Sequence, residues 1–591
     1  MKAEERWQAR FRAPSMTLPE WARQAPNRSL YRSNASGVWE IYAWDRTTGI
    51  TRQVTNQPYG TSHAALDPTG HWIYWFAGSD RDELGVWMRQ RFAGGVHEVI
   101  APDLPPSEPG GIALSATGLA AVSLARAGTF STYLVRPGES ARLLYEHSEA
   151  SWVTDMSLDG ELVALNHSEH GDFRHPALRV LKQNGDVVGE LADGPGRGVI
   201  GLRFGPLPGD RRLLTLHERR RRHEPLVWDP KTGEQREIWL KDPGELTAEW
   251  YDDGRALLIV RDDRGRTHLH RYDLGGGGMS LIDTPHGVIG AARPRPGGHV
   301  EYAWSSASRP PVIRSSSGHV VMNAIGPAAP TSVPVEDIDV SGPGGRIHAL
   351  VSRPEMGSAP FPAVFLLHSG PHLHDADTFS PEVAAWVDAG FAVVRVNYRG
   401  STGYGSAWRD ALRGDVGHIE LADVAAVREW VVSRGVVDPD RTVLAGTSWG
   451  GFLTLLGLGV QPRLWAAGIA VAPIASHVTA YEDHVEGLRA LQRSLLGGSP
   501  DEQPERYHDS SPITYVEKVE RPLLILAGVN DSRSPLRQLE EYVSRLAELG
   551  REHEVHYYDA GRGGLVVAER IDQMAIMLNF IRKHGLTTDT A

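Results

Sequence analysis

Thr442-Val443-Leu444-Ala445-Gly446-Thr447-Ser448-Trp449-Gly450-Gly451-Phe452 decides the fold of this chain. Residues 442–445 form an apolar run of strand character, and residues 452–458 form an apolar run of helix character. Between them stands Gly-x-Ser-x-Gly. Its glycines allow a tight strand-to-helix turn that lifts the Ser448 hydroxyl above a sheet, with a helix N-terminus behind it. The plainer reading is an ordinary glycine-rich turn. It does not require a serine at the apex or a further small residue at Gly451. Ser448 is therefore the candidate nucleophile.

Moving outward from this elbow, residues 363–367 are a continuous apolar run, as in a parallel strand buried on both faces. Residues 382–389 read as helix, 392–396 as strand and 421–433 as helix. Residues 523–527 read as strand, 536–549 as helix, 554–558 as strand and 568–583 as a closing helix. Such alternation over about 250 residues predicts a doubly wound α/β domain. With an elbow inside it, the α/β-hydrolase fold is the assignment.

The N-terminal half repeats. A turn with glycine precedes a short apolar or aromatic strand at Gly70, Gly118, Gly160, Gly209, Gly254 and Gly298, with steps of 48, 42, 49, 45 and 44 residues. A second element, an aromatic residue, Asp, a short turn and Gly, recurs at Trp44-Asp45 with Gly49, Trp228-Asp229 with Gly233, and Tyr272-Asp273 with Gly275. Units of about 45 residues, each long enough for four short strands, predict a β-propeller. One more unit fits around residues 34–55, which gives seven blades. The competing arrangement is a pair of β-sandwiches with accidental spacing. The expected division is a helical segment at 1–24, a seven-bladed propeller at 25–325 and an α/β-hydrolase domain at 326–591, with a linker-like stretch at 325–330.

Composition narrows the function. The chain has 591 residues, 41% hydrophobic and 23% charged, so more than one domain is expected. A net charge of −12 argues against nucleic acid as the main partner and gives no reason to expect an anionic membrane. With no cysteine, disulfides, thiolate catalysis and Cys-ligated zinc are excluded. Residues 1–7 carry charges where a signal peptide needs an apolar core, and no stretch nears 18 uninterrupted apolar residues, so a cytoplasmic protein is expected.

An oxyanion hole needs the N–H after the nucleophile, here Trp449, and a donor from a loop after an early strand. That loop is His368-Ser369-Gly370-Pro371-His372, in which Gly370 lets backbone approach a substrate carbonyl. Asn397-Tyr398-Arg399-Gly400-Ser401-Thr402-Gly403-Tyr404-Gly405 and Gly528-Val529-Asn530-Asp531 follow. These strings resemble the prolyl oligopeptidase family of serine peptidases, especially its acylaminoacyl peptidase branch. Ser369 stands where that family usually has glycine, and Trp449 where it usually has tyrosine.

The resemblance implies a propeller capping an α/β-hydrolase domain and a small peptide or acyl-peptide substrate. It implies no cofactor, and it leaves a homo-oligomer open. By position it makes Ser448 the nucleophile and Asp531 the acid that orients the base. Gly370 and Trp449 would line the oxyanion hole, assisted by Tyr398. The family's histidine lies about thirty residues after the Asp; here Arg562, 31 residues on, takes that place in Asp559-Ala560-Gly561-Arg562-Gly563-Gly564. A guanidinium has no lone pair to accept a proton.

Three readings stay open at this point: hydrolysis has been lost, leaving a peptide-binding protein or a changed chemistry such as cyclisation or isomerisation; His372 or His374 substitutes as base; or the arginine was introduced by substitution. His368, His372, His374, Asp375 and Asp377 have no strong zinc spacing, so no metal is expected. Arg219 to Arg222 read as a solvated hairpin, with carboxylate recognition as the alternative. No convincing Glu-Glu pair for a free substrate N-terminus occurs between residues 30 and 320, which favours acylated or internal peptides.

Overall fold

In the computed structural model, which describes residues 3–78, 84–559 and 564–587, the repeated glycines mark one turn in successive blades. Gly70, Gly118, Gly160, Gly209, Gly254 and Gly298 have φ of 71°, 80°, 79°, 74°, 66° and 89°, the left-handed region that glycine enters without a Cβ clash. Each lies between the first and second strands of a four-stranded antiparallel sheet, as between Ala64–Leu66 and Trp72–Gly78, or Val288–Pro294 and Val300–Ser306. Seven such sheets form among the described residues. The first contains Glu20–Ala22, Ala25–Ser33, Glu40–Asp45 and Thr51–Gln53. Gly49 and Gly233 make the turn into the fourth strand, while in the sixth blade Gly277, not Gly275, adopts the left-handed conformation. Facing blades share apolar layers: Leu178, Val180 and Leu191 of the fourth pack on Phe204, Leu226 and Trp228 of the fifth.

The N-terminal helix Ala3–Arg12 docks on the α/β domain, where Trp7 and Phe11 join Trp386 and Phe391. Arg6 and Arg10 both pair with Asp388, and Arg10 also donates to the Thr331 carbonyl at 2.6 Å. Trp21, by contrast, already sits in the innermost strand of the first blade.

The α/β domain is one eight-stranded sheet: β1 (Glu336–Gly342), β2 (Gly345–Ser352), β3 (Phe361–Leu367), β4 (Ala392–Asn397), β5 (Val437–Thr447), β6 (Ala467–Val471), β7 (Leu523–Gly528) and β8 (His553–Tyr558). The order is β1-β2-β4-β3-β5-β6-β7-β8. The β1–β2 and β2–β4 pairs are antiparallel and the other pairs parallel. Helices cover both faces: Trp449–Val460 joins one apolar layer, and Pro381–Asp388 with Val567–Lys583 the other. This is the doubly wound hydrolase sheet expected from the alternation.

The ends of the innermost propeller strands nearest their N-termini face this domain. Gly405 N–H donates to Glu245 at 3.3 Å, Glu486 N–H donates to Glu108 at 3.0 Å, and Ser406 N–H donates to the Arg221 carbonyl at 2.8 Å. No helix among the described residues is long and apolar enough to cross a membrane.

Candidate active site

β5 runs into the helix Trp449–Val460 through Ser448, which has φ 56° and ψ −111°. A non-glycine residue there costs of order 1–3 kcal/mol and persists only when its surroundings fix it. Two backbone hydrogen bonds fix it. Ser448 N–H donates to the Val471 carbonyl of β6 at 2.8 Å, and Phe452 N–H donates to the Ser448 carbonyl at 2.8 Å. The glycines are required sterically. A Cβ at Gly446 would come within 2.5 Å of the Gly450 carbonyl carbon, and one at Gly451 within 2.8 Å of the Val471 oxygen. A Cβ at Gly450 would overlap the Leu367 carbonyl oxygen of β3. Glycine at these positions lets three strand ends and a helix converge on one serine.

The loop after β3 is tied to the elbow by the Ser369 hydroxyl, which donates to the Thr447 carbonyl at 2.9 Å. Gly370 has φ 140°, and a Cβ there would crowd the His372 nitrogen at 2.8 Å. Tyr398 lies fully buried behind this loop. Its ring stacks on His368 at 4.2 Å and its hydroxyl donates to the His368 carbonyl at 2.8 Å. Burial raises the phenol well above its usual range, so it stays a neutral donor committed to the loop rather than a spare one facing the hole.

Trp449 N–H is the first of its helix, a position without an intrahelical acceptor. The Trp449 indole is buried and donates to Glu420 at 3.3 Å. Glu420 is fully buried, also accepts the Gly417 N–H at 2.7 Å, and is pushed by burial up to about 8. Sequence reading missed Glu420. Its only local signal is a Glu three residues after a helix-starting glycine.

Asp531 follows β7 and is 5% exposed. One carboxylate oxygen accepts the N–H groups of Arg533 at 2.9 Å and Ser534 at 3.1 Å. The Ser534 hydroxyl ties this turn to the Ala472 carbonyl past β6 at 2.8 Å, and Asn530 donates to Asp559 past β8 at 2.9 Å. Arg562 lies in residues 560–563, outside the described residues. The chain that follows is pinned to the first blade: Trp39 N–H donates to the Leu565 carbonyl at 3.0 Å, and Val38 bridges Val566.

The other two candidate bases face the loop 400–402. His372 donates from Nδ1 to the Gly400 carbonyl at 3.0 Å, which leaves the lone pair on a buried Nε2. Burial depresses His372 to about 4, so its conjugate acid is too strong for it to draw a proton efficiently from a serine near neutrality. His374 Nδ1 is 3.0 Å from the Thr402 hydroxyl. Among the described residues no three His, Cys, Asp or Glu side chains converge as metal ligands.

The arginine run is neither fully solvated nor an open carboxylate receptor. Arg219 is held by Asp193 at 2.8 Å and Glu237 at 2.7 Å, Arg220 by Glu237 at 2.7 Å, and Arg222 by Glu224 at 2.8 Å.

Beside it lies a buried network that joins the domains. Arg409 donates to Glu218 at 2.5 Å and to Asp410 at 2.9 Å. His175 lies between Asp172 at 2.7 Å and Asp410 at 3.1 Å, and Ser494 donates to Asp172 at 2.7 Å. Burial opposes the His175 charge, but the two carboxylates outweigh it and hold the imidazolium up to about 9. No signal in the sequence pairs these residues.

Comparison with known proteins agrees with this fold. A model of the prolyl oligopeptidase family matches residues 377–586. An uncharacterized peptidase, YuxL, of Bacillus subtilis (strain 168) is 27% identical over 349 residues, 55% of this chain and 50% of the relative. The acylamino-acid-releasing enzyme of Mus musculus is 34% identical over 190 residues, 31% of this chain and 26% of that enzyme. The chain thus spans about half or less of the length of these relatives. Among solved structures, one from a study of two prolyl endopeptidases has a TM-score of 0.83 at 17% identity, covering 99% of this chain and 92% of the other. The Pyrococcus horikoshii acylaminoacyl peptidase has a TM-score of 0.73 at 16% identity, covering 99% and 98%. The family model thus lies on the α/β domain, and the two-domain fold of these structures is shared over nearly the whole chain.

Proposed function

We propose that this chain is a serine hydrolase acting on small or acylated peptides between the propeller and the α/β domain, through an acyl-Ser448 intermediate, with turnover limited by Arg562. The observation that carries the proposal is the elbow: Ser448 at φ 56°, fixed by β6 and by three glycines that admit nothing larger. In the acylation step the Ser448 oxygen attacks the carbonyl carbon and the bond to the leaving amine or alkoxide breaks. The serine proton must pass to the leaving group, and water later releases the acyl group. Gly370 and Trp449 N–H groups are assigned to the oxyanion. Asp531 is assigned to orient the group at position 562.

A guanidinium there cannot relay the proton. Loss of the triad histidine lowers kcat by about a millionfold in subtilisin. This favours a second reading, peptide binding without turnover, and Arg562 is the observation behind it. The propeller over the site favours short or unstructured peptides. The acylamino-acid-releasing relatives support acylated ones. A cytoplasmic protein without cofactor completes the proposal.

Labelling with a fluorophosphonate, read by intact mass and peptide mapping, tests it. Stoichiometric labelling at Ser448, abolished in Ser448→Ala, is the expected result for the hydrolase reading. An unlabelled Ser448 in a folded protein would remove it and leave the binding reading.

A further inference from the structure

The innermost strands of the propeller bring a second set of chemical groups together at the end of the axial channel remote from the α/β domain. The strand starts near Ser151, Val199 and Glu245 lie against that domain, and this second set lies at the opposite ends of the same strands. A cavity of about 190 Å3 opens there, lined by residues of the first, second, third, fourth, fifth and seventh blades. Its walls are apolar from Leu66, Leu114 and Met156. Its polar part is Arg23, Arg203, Arg293, Glu20 and Asp155, with Glu249 behind Arg203 completing a ring of three guanidinium groups and three carboxylates.

Two pairs in that ring are already made. Arg203 meets Glu249 at 3.1 Å, and Arg293 meets Glu20 at 2.9 Å. The remaining members, Arg23 and Asp155, both line the cavity and make no ion pair within 4 Å among the described residues. Asp155 accepts the Phe204 N–H at 2.8 Å and is raised above the usual carboxylate range by burial, which Arg23 and Arg203 only partly offset. That is the behaviour of a carboxylate without a cation in contact.

We propose that this mouth binds a small zwitterion, an α-amino acid with a short aliphatic side chain. Its carboxylate sits on Arg23, its ammonium on Asp155, and its side chain on the Leu66–Leu114–Met156 wall. A guanidinium fork matches a carboxylate, and an ammonium supplies the cation that Asp155 lacks. A zwitterion leaves the ring's charge at zero, whereas a plain anion or cation would leave one member opposed by the rest. The site is independent of the chemistry proposed for Ser448.

Isothermal titration of the full chain with L-alanine tests this, with propionate and ethylamine as half-ligands. L-Alanine binds at one site, and each half-ligand binds at least about tenfold more weakly, the loss expected for one charge-assisted contact. Asp155→Asn and Arg23→Gln each weaken L-alanine by about tenfold or more without changing the melting temperature of the free protein, and Ser448→Ala leaves it unchanged. Absence of L-alanine binding, half-ligands as good as L-alanine, or unchanged binding in Asp155→Asn would overturn the proposal. If Arg23→Gln misfolds, Asp155→Asn and the half-ligands still decide.

Discussion

Arg409→Met should loosen the seam between the domains by an amount the structure lets one work out. Arg409 and Glu218 lie 2.5 Å apart with side chains 6% and 1% exposed, so the pair is dry. Without the guanidinium, Glu218 keeps two neutral donors, the Ser406 hydroxyl at 2.8 Å and Gly198 N–H at 2.9 Å. Breaking a buried pair from one side costs about 3–5 kcal/mol, because a charge is left uncompensated. His223, 3.4 Å from Glu218, is near enough to offer a ring N–H once Arg409 is gone, which favours the lower end. About 3 kcal/mol corresponds to seam opening about a hundredfold more often. Native-state hydrogen exchange reads this at Ser406 N–H, which bonds across the seam to Arg221, and at Gly198 N–H. Both amides should exchange about a hundredfold faster in Arg409→Met. Adding Glu218→Gln should recover most of the protection by removing the stranded charge. Acceleration of less than about fivefold, the effect of an exposed pair worth under 1 kcal/mol, would refute the claim that this seam excludes water.

The same amides should respond to pH. His175 is held at about 9 in the folded protein against 6.5 unfolded, so its contribution is full below about 6.5 and is lost as pH rises through 9. Asp172 and Asp410 are held well below their ordinary 3.8, so their contribution is full above that value and is lost on deep acidification. Seam protection, taken as exchange relative to the intrinsic base-catalysed rate, therefore peaks between about pH 4 and 6.5 and falls from about pH 7 to 9.5; a flat protection profile there, unchanged in His175→Gln, would contradict the assignment. Gly450→Ala drives a Cβ into the Leu367 carbonyl, so a loss of about 1–3 kcal/mol in urea unfolding is expected, with loss of Ser448 labelling. Arg562→His should raise acyl-peptide hydrolysis by several orders of magnitude, measured as initial rates with a chromogenic acyl-amino-acid substrate. No gain would place the block elsewhere.

The sequence by itself determined the two architectures and the elbow, because both rest on local rules. A left-handed turn selects glycine wherever it occurs, so Gly70 through Gly298 mark the blades one by one. The elbow selects Gly446, Gly450 and Gly451 around Ser448 within six residues. Trp21, read with an N-terminal helix, instead sits in a blade strand, since its short strand has no pattern of its own. Only the tertiary structure decided the rest. It set Tyr398 behind the loop after β3, Glu420 under Trp449, His175 between Asp172 and Asp410, Arg409 on Glu218, and Arg23 and Asp155 in the wall of one cavity. Nearly all of these relations join residues from 29 to 235 positions apart. They arise where a ring of blades closes and docks on a sheet, and no short stretch of chain encodes the distance or the dielectric in which two such charges meet.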